Sequence, residues 1–333
     1  MVNKRVLVLG STGAMGQYIV PYLADMGYQV TAVSLKDEEP CRDNVTCIKG
    51  DFKDEQFFQS LLLQEFDGIV DFMTYPHFEP YYKRLLDHTK HYIFLSSCRV
   101  YADEEWPVKE TSPRLLDVSA DEKLRASNDY CIHKAKSENL LNESEYSNWT
   151  IVRPATTFSR MRFQLVTLEA RNVAGRAMKG KKVVLPIQVK DIPATLSWAG
   201  DVSMMIAKLL FNEEAMRETY NVCSAEYKTW GEIADYYKDI LGLESVWVDK
   251  EDYLRIINPE VPTRVRWQLE YARMFHRITD NSKVLKVTGM KQEELMPLYD
   301  ALKAMIEVVP EGYEYPDNEI DERMDQYLKE NNL

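Results

Sequence analysis

The stretch Val6-Leu7-Val8-Leu9-Gly10-Ser11-Thr12-Gly13-Ala14-Met15-Gly16 constrains this chain more than any other. Four consecutive apolar residues, two of them β-branched, ending in glycine suit a strand buried on both faces in the middle of a parallel sheet. Gly10 permits a sharp turn, Gly13 lets backbone come close to a bound group, and Gly16 lets the following helix pack tightly on the strand. Unpaired N–H groups and the helix dipole then converge on one point, which makes a site for a diphosphate. The spacing is G-x-x-G-x-x-G rather than the G-x-G-x-x-G of the commonest dinucleotide fingerprint. Residues 27–33 follow as a second strand, the context such a site requires.

Beyond the turn, Ile19, Val20, Leu23 and Met26 supply one apolar face of a helix over 14–26, which Pro21 is expected to kink and Gly27 to close. Strands are predicted near 46–49, 67–73 and 92–97, with helices at 54–63 and 81–88 between them. Strands alternating with helices at this spacing mean βαβ units and an α/β fold with a doubly wound parallel sheet. Right-handed crossovers bring the strand carboxyl ends to one edge, and with them Gly10, Ser34, Asp51, Met73 and Ser97. The second strand ends at Ser34-Leu35-Lys36, where an acid would bind the ribose 2′-hydroxyl of NAD. Ser34, Lys36 and Ser11 suit the extra phosphate of NADP instead, an ammonium and two hydroxyls around a dianion. A shift of register that lets Asp37 reach the ribose is the alternative, with NAD as cofactor.

At 333 residues the chain exceeds the usual single-domain size, so one large α/β unit with an appended lobe, or two domains, is expected. The 41 Lys and Arg against 53 Asp and Glu leave a net charge of −12, a field that repels phosphate backbones and argues against a nucleic-acid partner. No apolar run approaches the roughly 20 residues needed to span a bilayer, and no signal-peptide pattern precedes the first strand. A soluble, cytoplasmic protein with no membrane partner is expected. The cysteines Cys41, Cys47, Cys98, Cys131 and Cys223 are scattered and form no C-x-x-C pair, which fits a reduced compartment and predicts no metal site.

Two further stretches carry chemistry: Ser96-Ser97-Cys98-Arg99-Val100-Tyr101, and Tyr130-Cys131-Ile132-His133-Lys134. At i and i+4, Tyr130 and Lys134 share one helix face. A lysine ammonium beside a phenol favours the phenolate, which makes the tyrosine an acid/base nearer neutral pH than its free value of about 10. Ser97, at a strand end, is placed to donate to a carbonyl oxygen as charge builds there.

Taken together, the glycine loop, Gly50-Asp51, Ser97 with Val100-Tyr101, Tyr130-x-x-x-Lys134, Arg153-Pro154, Gly180, Gly200-Asp201-Val202 and Tyr220-Asn221-Val222 resemble the extended short-chain dehydrogenase/reductases, the NAD(P)-dependent epimerase/dehydratase proteins. The resemblance runs to about Asp280-Asn281-Ser282-Lys283. It implies a Rossmann-type sheet with a smaller, discontinuous C-terminal substrate-binding lobe: 1–160 with 195–225 for the NAD(P)-binding domain, and 161–194 with 226–333 for the lobe. It also implies Tyr130 as catalytic acid/base, Lys134 lowering its proton affinity and holding the nicotinamide ribose, and Ser97 orienting the substrate oxygen. Gly10, Ser11, Thr12, Gly13, Ala14, Met15, Gly16, Ser34, Lys36, Phe52 and Met73 complete the cofactor site, with Asp51 accepting from the adenine amino group. The implied function is an NADP- or NAD-dependent oxidoreductase or epimerase acting on a carbinol or ketone carbon of a sugar-like, nucleotide-linked small molecule, in a homodimer.

Departures from the family pattern narrow this. Family dehydratases place Asp-Glu after the serine, where this chain has Cys98-Arg99, so sugar 4,6-dehydration is disfavoured. Cys98 is also one residue early for the acid/base cysteine of some epimerases, and a buried thiol beside the sheet is the simpler reading. The arginine that many nucleotide-sugar epimerases use for the diphosphate falls at Ala194, and Trp198 replaces a histidine. Arg160, Arg162, Arg171, Arg264 and Arg266 are candidate substitutes. These gaps leave a second reading, a reductase of a non-nucleotide carbonyl compound. A third, from another class, is a non-catalytic NAD(P)-binding regulator or RNA-binding protein, as some relatives with this fold are. His77 after the fourth strand is a candidate near the nicotinamide, and His133 is expected to point off the catalytic face. Residues 149–154 read as a sixth strand, 202–210 as a helix and 220–222 as a strand. The aromatic segment from Thr229 reads as lobe, and 317–333 as a packing helix on its surface.

Overall fold

Val6, Leu7, Val8 and Leu9 have no exposed surface, because β1 (Arg5–Leu9) lies between two parallel neighbours. The computed structural model describes residues 4–75 and 77–333. After α1 (Gly16–Asp25) come β2 (Gln29–Ser34), β3 (Val45–Lys49), α2 (Glu55–Leu62), β4 (Phe66–Asp71), α3 (Glu79–Asp87) and β5 (Thr89–Leu95). Then follow α4 (Tyr130–Asn142), β6 (Trp149–Pro154), α5 (Ala199–Leu209) and β7 (Glu218–Val222). The sheet order is β3-β2-β1-β4-β5-β6-β7, and every pair is parallel. The chain leaves β1 in one direction and returns after β3 to build in the other, so a crevice opens between the carboxyl ends of β1 and β4.

The two faces of β1 feed two cores. Val6 and Val8 pack with Ile19, Val20 and Leu23 of α1 and Val202, Met205 and Ile206 of α5. Leu7 and Leu9 pack with Phe58 and Leu61 of α2, Leu85 of α3 and Leu141 of α4. The sheet is therefore doubly wound.

α1 begins at Gly16 rather than at residue 14, because Ala14 and Met15 belong to the turn, and it runs through Pro21 to Asp25. Gly27, at φ +89°, ends it, with Tyr28 N–H returning to Leu23 O at 3.1 Å.

A third core lies beside the sheet. Phe158, Val173, Val184 and Leu196 join Trp230, Tyr237, Tyr253, Leu302 and Met324, so the segments on either side of α5 and β7 share one apolar interior. The helix Glu319–Glu330 seats Met324 and Leu328 there, with Asp321 held by Asn172 and Arg176. The segment around Val284, Met290 and Leu295, expected in the lobe, packs instead into the sheet's core beside α5. Trp267 is likewise not a lobe-core residue, and it packs with Tyr271 and Phe275 against Leu124 and Ile132.

Candidate active site

A cavity of about 640 Å³ follows the carboxyl edge of the sheet from Lys36, past the glycine turn, to Tyr130 and the lobe. Its wall includes Gly10, Thr12, Gly13, Ala14, Met15 and Gly16, and beyond them Ser34, Phe52, Met73 and Ser97. Gly10 has φ +81°, a conformation open chiefly to glycine. A Cβ on Gly16 would stand 2.4 Å from Gly10 O and 2.5 Å from the Ser11 backbone, so the turn closes on its own helix start as well as on the strand. The three glycines therefore leave bare backbone at this stretch of wall, and the elongated cavity fits a dinucleotide with its diphosphate at the turn.

At the far end, Ser34 Oγ accepts from Lys36 N at 3.1 Å and donates to Lys36 O at 2.9 Å, so its hydroxyl shapes the turn that presents Lys36. Asp37 is off the wall, paired with Lys49 at 2.6 Å with its side chain 82% exposed. Ser11 is buried and also off the wall, its N–H on Val33 O at 3.1 Å. Asp51 is exposed off the wall, its carboxylate turned back to the Lys53 N–H at 2.9 Å, while Phe52 lines the cavity, edge-on to Phe58 and Tyr75. Of the residues expected to contact the nucleotide at this end, Ser34, Lys36 and Phe52 are on the wall, and Ser11 and Asp51 are not.

The chemistry-bearing residues meet where β5 ends and α4 begins. Ser97 is extended and caps the short turn Cys98–Val100, its Oγ accepting from Arg99 N at 3.1 Å, which leaves its own proton free to donate. Asp129 caps α4 through Cys131 N and reaches Arg99 at 3.5 Å, tying the two elements together. Tyr130, the first residue of α4, stands on the cavity wall with Ser97. Burial pushes its phenol above the ordinary value, opposed by Arg99, by a hydrogen bond with Ser97 and by Arg162.

Lys134 lies one turn deeper, 1% exposed, its Nζ donating to Leu95 O at 2.6 Å and Met73 O at 3.2 Å. The ammonium is 5.9 Å from the centre of the Tyr130 ring, and the Arg99 guanidinium carbon is 5.2 Å from it. Arg99 is thus the nearer cation and, with Arg162, opposes the rise that burial gives the phenol; the shift toward neutral pH expected from Lys134 is not seen, because burial outweighs the cations. Burial brings Lys134 itself down to about 8, against the pull of Asp71 and Glu138. Arg153 holds Glu138 in a buried ion pair at 2.7 Å, so this part of the Arg153-Pro154 motif is structural.

Cys98 is on the wall but buried, its thiol donating to Arg153 O at 3.2 Å and pushed up to about 12 by burial, which suits packing rather than proton transfer. His77 and His133 share with Tyr130 an adjoining cleft of about 490 Å³, so His133 is nearer the site than its helical spacing implied. Of the five candidate arginines, Arg162 alone reaches the cavity wall, and Arg266 is tied to Glu251 and Glu270. Arg273 and Arg277, which sequence reasoning did not single out, are on the wall instead. A π-helical turn, with Met274 N on Leu269 O at 2.9 Å, presents Arg273, and such a turn has no simple sequence signal.

A family model described as the NAD dependent epimerase/dehydratase family matches residues 6–223. The chain is 28% identical over 256 residues to the chloroplast stem-loop binding protein of 41 kDa b of Arabidopsis thaliana, covering 70% of this chain. It spans 62% of that relative's length. Among solved structures it resembles UDP-glucuronic acid 4-epimerase from Bacillus cereus, at 16% identity and a TM-score of 0.69 over 93% of this chain and 100% of that one. UDP-glucose 4-epimerase from Thermotoga maritima follows it with 18% identity and a TM-score of 0.68 over 91% and 97%. At these identities the structural likeness is one of fold.

Proposed function

The chain belongs to the NAD dependent epimerase/dehydratase family, and on that premise we propose that it is an NADP-dependent oxidoreductase or epimerase acting on a carbinol or ketone carbon of a sugar-like, nucleotide-linked substrate. The observation that carries this reading is that Ser97 and Tyr130 share one cavity with the glycine turn, with Lys134 buried directly beneath. The nicotinamide, when bound, accepts or returns the hydride. In the oxidative direction the Tyr130 phenolate takes the carbinol proton as the hydride leaves the same carbon, and in the reductive direction the phenol gives it back. Ser97 donates to the substrate oxygen, and Arg99 opposes the rise in the phenol's proton affinity that burial causes. Lys36 favours NADP at the ribose, while Lys134, fixed by two carbonyls, supports the nicotinamide end.

Mass spectrometry of the nucleotide that co-purifies identifies the cofactor, and turnover of UDP-, GDP-, CDP- and dTDP-sugars tests the substrate class. Tyr130→Phe is expected to abolish turnover while leaving NADPH affinity within about twofold, since the phenol is needed for proton transfer and not for the glycine turn. Undiminished turnover in that variant rejects the assignment.

A second reading comes from the Arabidopsis relative, whose name describes stem-loop binding. A net charge of −12 weighs against it. A labelled RNA stem-loop retained at physiological salt, and released as salt rises, would favour it over turnover.

A further inference from the structure

Beyond Ser97 and Tyr130 the cavity wall carries Arg99, Arg162, Arg273 and Arg277. The one carboxylate on the wall among the described residues is Glu169, 4.0 Å from Arg162, with Gln164 Nε2 on its other oxygen at 3.0 Å. Such a concentration of positive charge is unexpected in a chain whose net charge is −12.

Arg273 and Arg277 are 8% and 9% exposed, and among the described residues neither is paired with a carboxylate. Arg273 donates to Val166 O at 2.7 Å, Thr156 Oγ1 at 3.2 Å and Gln164 Oε1 at 3.4 Å. Arg277 donates to Ala102 O at 3.1 Å and Tyr101 O at 2.8 Å. Neutral acceptors hold these guanidinium groups in place without cancelling their charge. Arg99 completes the cluster: its Nε is buried with no partner among the described residues, and its nearest counter-charge is Asp129 at 3.5 Å. Burial brings Arg273 and Arg277 down to about 10, with Arg99 adding its repulsion while Glu169 pulls Arg273 and Asp103 pulls Arg277 back up, so both stay charged at neutral pH. Each guanidinium has five donors, and all three keep two or more of them uncommitted among the described residues.

We propose that Arg99, Arg273 and Arg277 bind an anionic group, a carboxylate or a phosphate, carried on the same unit of the substrate whose carbinol carbon faces Tyr130. Proximity sets the unit: Arg99 is 5.2 Å from the centre of the Tyr130 ring, so an anion it grips is a few bonds from the reacting carbon rather than on a distant nucleotide arm. Planar guanidinium forks match both oxyanions in bidentate geometry. The inference rests on the hydride-transfer reading for what reacts, and on the arginines alone for what binds.

The test uses the full-length protein saturated with NADP⁺, at an ionic strength held constant with potassium chloride. Calorimetric titrations are run with glucuronate, inorganic phosphate and glucose. Saturable binding is expected for glucuronate or phosphate and not for glucose, and the anion that binds identifies a carboxylated or a phosphorylated substrate. Arg99→Gln is expected to weaken that binding by about tenfold or more, the loss of a charged hydrogen-bond donor, with NADP⁺ affinity unchanged. Arg273→Lys keeps the charge, loses the fork and is expected to weaken it several-fold, without the risk to folding of a neutral residue there. Tyr130→Phe is expected to retain anion binding in full, so failure of the hydride reading appears in turnover and failure of this inference in anion affinity. No saturable response to either anion, equal affinity in wild type and Arg99→Gln, or competitive displacement of the anion by UDP would each overturn the proposal.

Discussion

Replacing Lys134 by methionine is expected to separate the stability of this fold from its chemistry. The ammonium is buried, with burial bringing it to about 8 while Asp71 and Glu138 oppose the shift. In the unfolded chain the same group titrates near 10.4. A lysine whose folded pKa is depressed weakens the fold wherever it is protonated in both states, which is the range below about 8. As pH climbs from about 8 toward about 10.4 the native state has released the proton and the unfolded chain has not, so the penalty is lifted and stability rises. Between pH 7 and pH 10 that relief amounts to about 2.5 kcal/mol. Lys134→Met has no such relief. Its stability relative to wild type should therefore fall by about 2.5 kcal/mol across that window. The constant cost of leaving Leu95 O and Met73 O without their donor drops out of the comparison, as do groups that titrate identically in both proteins. Urea unfolding of the two proteins at pH 7, 8, 9 and 10, followed by tryptophan fluorescence, measures the gap. A gap that does not change with pH, or that widens in favour of the variant, would mean that Asp71 and Glu138 compensate the burial and that Lys134 carries no such penalty.

Two substitutions address the cofactor end. Gly16→Ala puts a methyl 2.4 Å from Gly10 O, so the turn must open, and NADPH affinity measured by fluorescence titration is expected to fall by at least about tenfold; an unchanged dissociation constant would show that backbone closeness at Gly16 is not what forms the site. Lys36→Ala is expected to weaken NADPH by about tenfold and leave NADH unaffected, since a charged hydrogen bond to the extra phosphate is lost, and equal losses for both nucleotides would remove the NADP assignment.

Much of the fold is written in local pattern. The run Val6 to Leu9, its glycines and the regular return of strands lead to a parallel doubly wound sheet, because periodicity and backbone sterics act over a few residues. The spacing of Tyr130 and Lys134 likewise predicts two side chains on one helical stretch, and Ser97, two residues past the end of β5, follows from the same alternation. Where an expectation shifted, a contact distant in sequence or a competing local bond was responsible. Asp51 turned to its own Lys53 N–H, and the Val284 to Leu295 region found the core beside α5.

Local pattern along the chain is enough to place a glycine turn against a helix start at the centre of a parallel sheet, and a serine and a tyrosine–lysine pair along its carboxyl edge. Tertiary structure decided which cations face the phenol. Arg99, Arg273 and Arg277 come from either side of α4 and from a π-helical turn well over a hundred residues beyond it. Whether an arginine is neutralised depends on the carboxylates that folding brings within about 4 Å, and spacing along the chain carries no record of that. Lys134 ended beneath two backbone carbonyls and Arg99 beside the ring, so the charge acting on Tyr130 is set by packing.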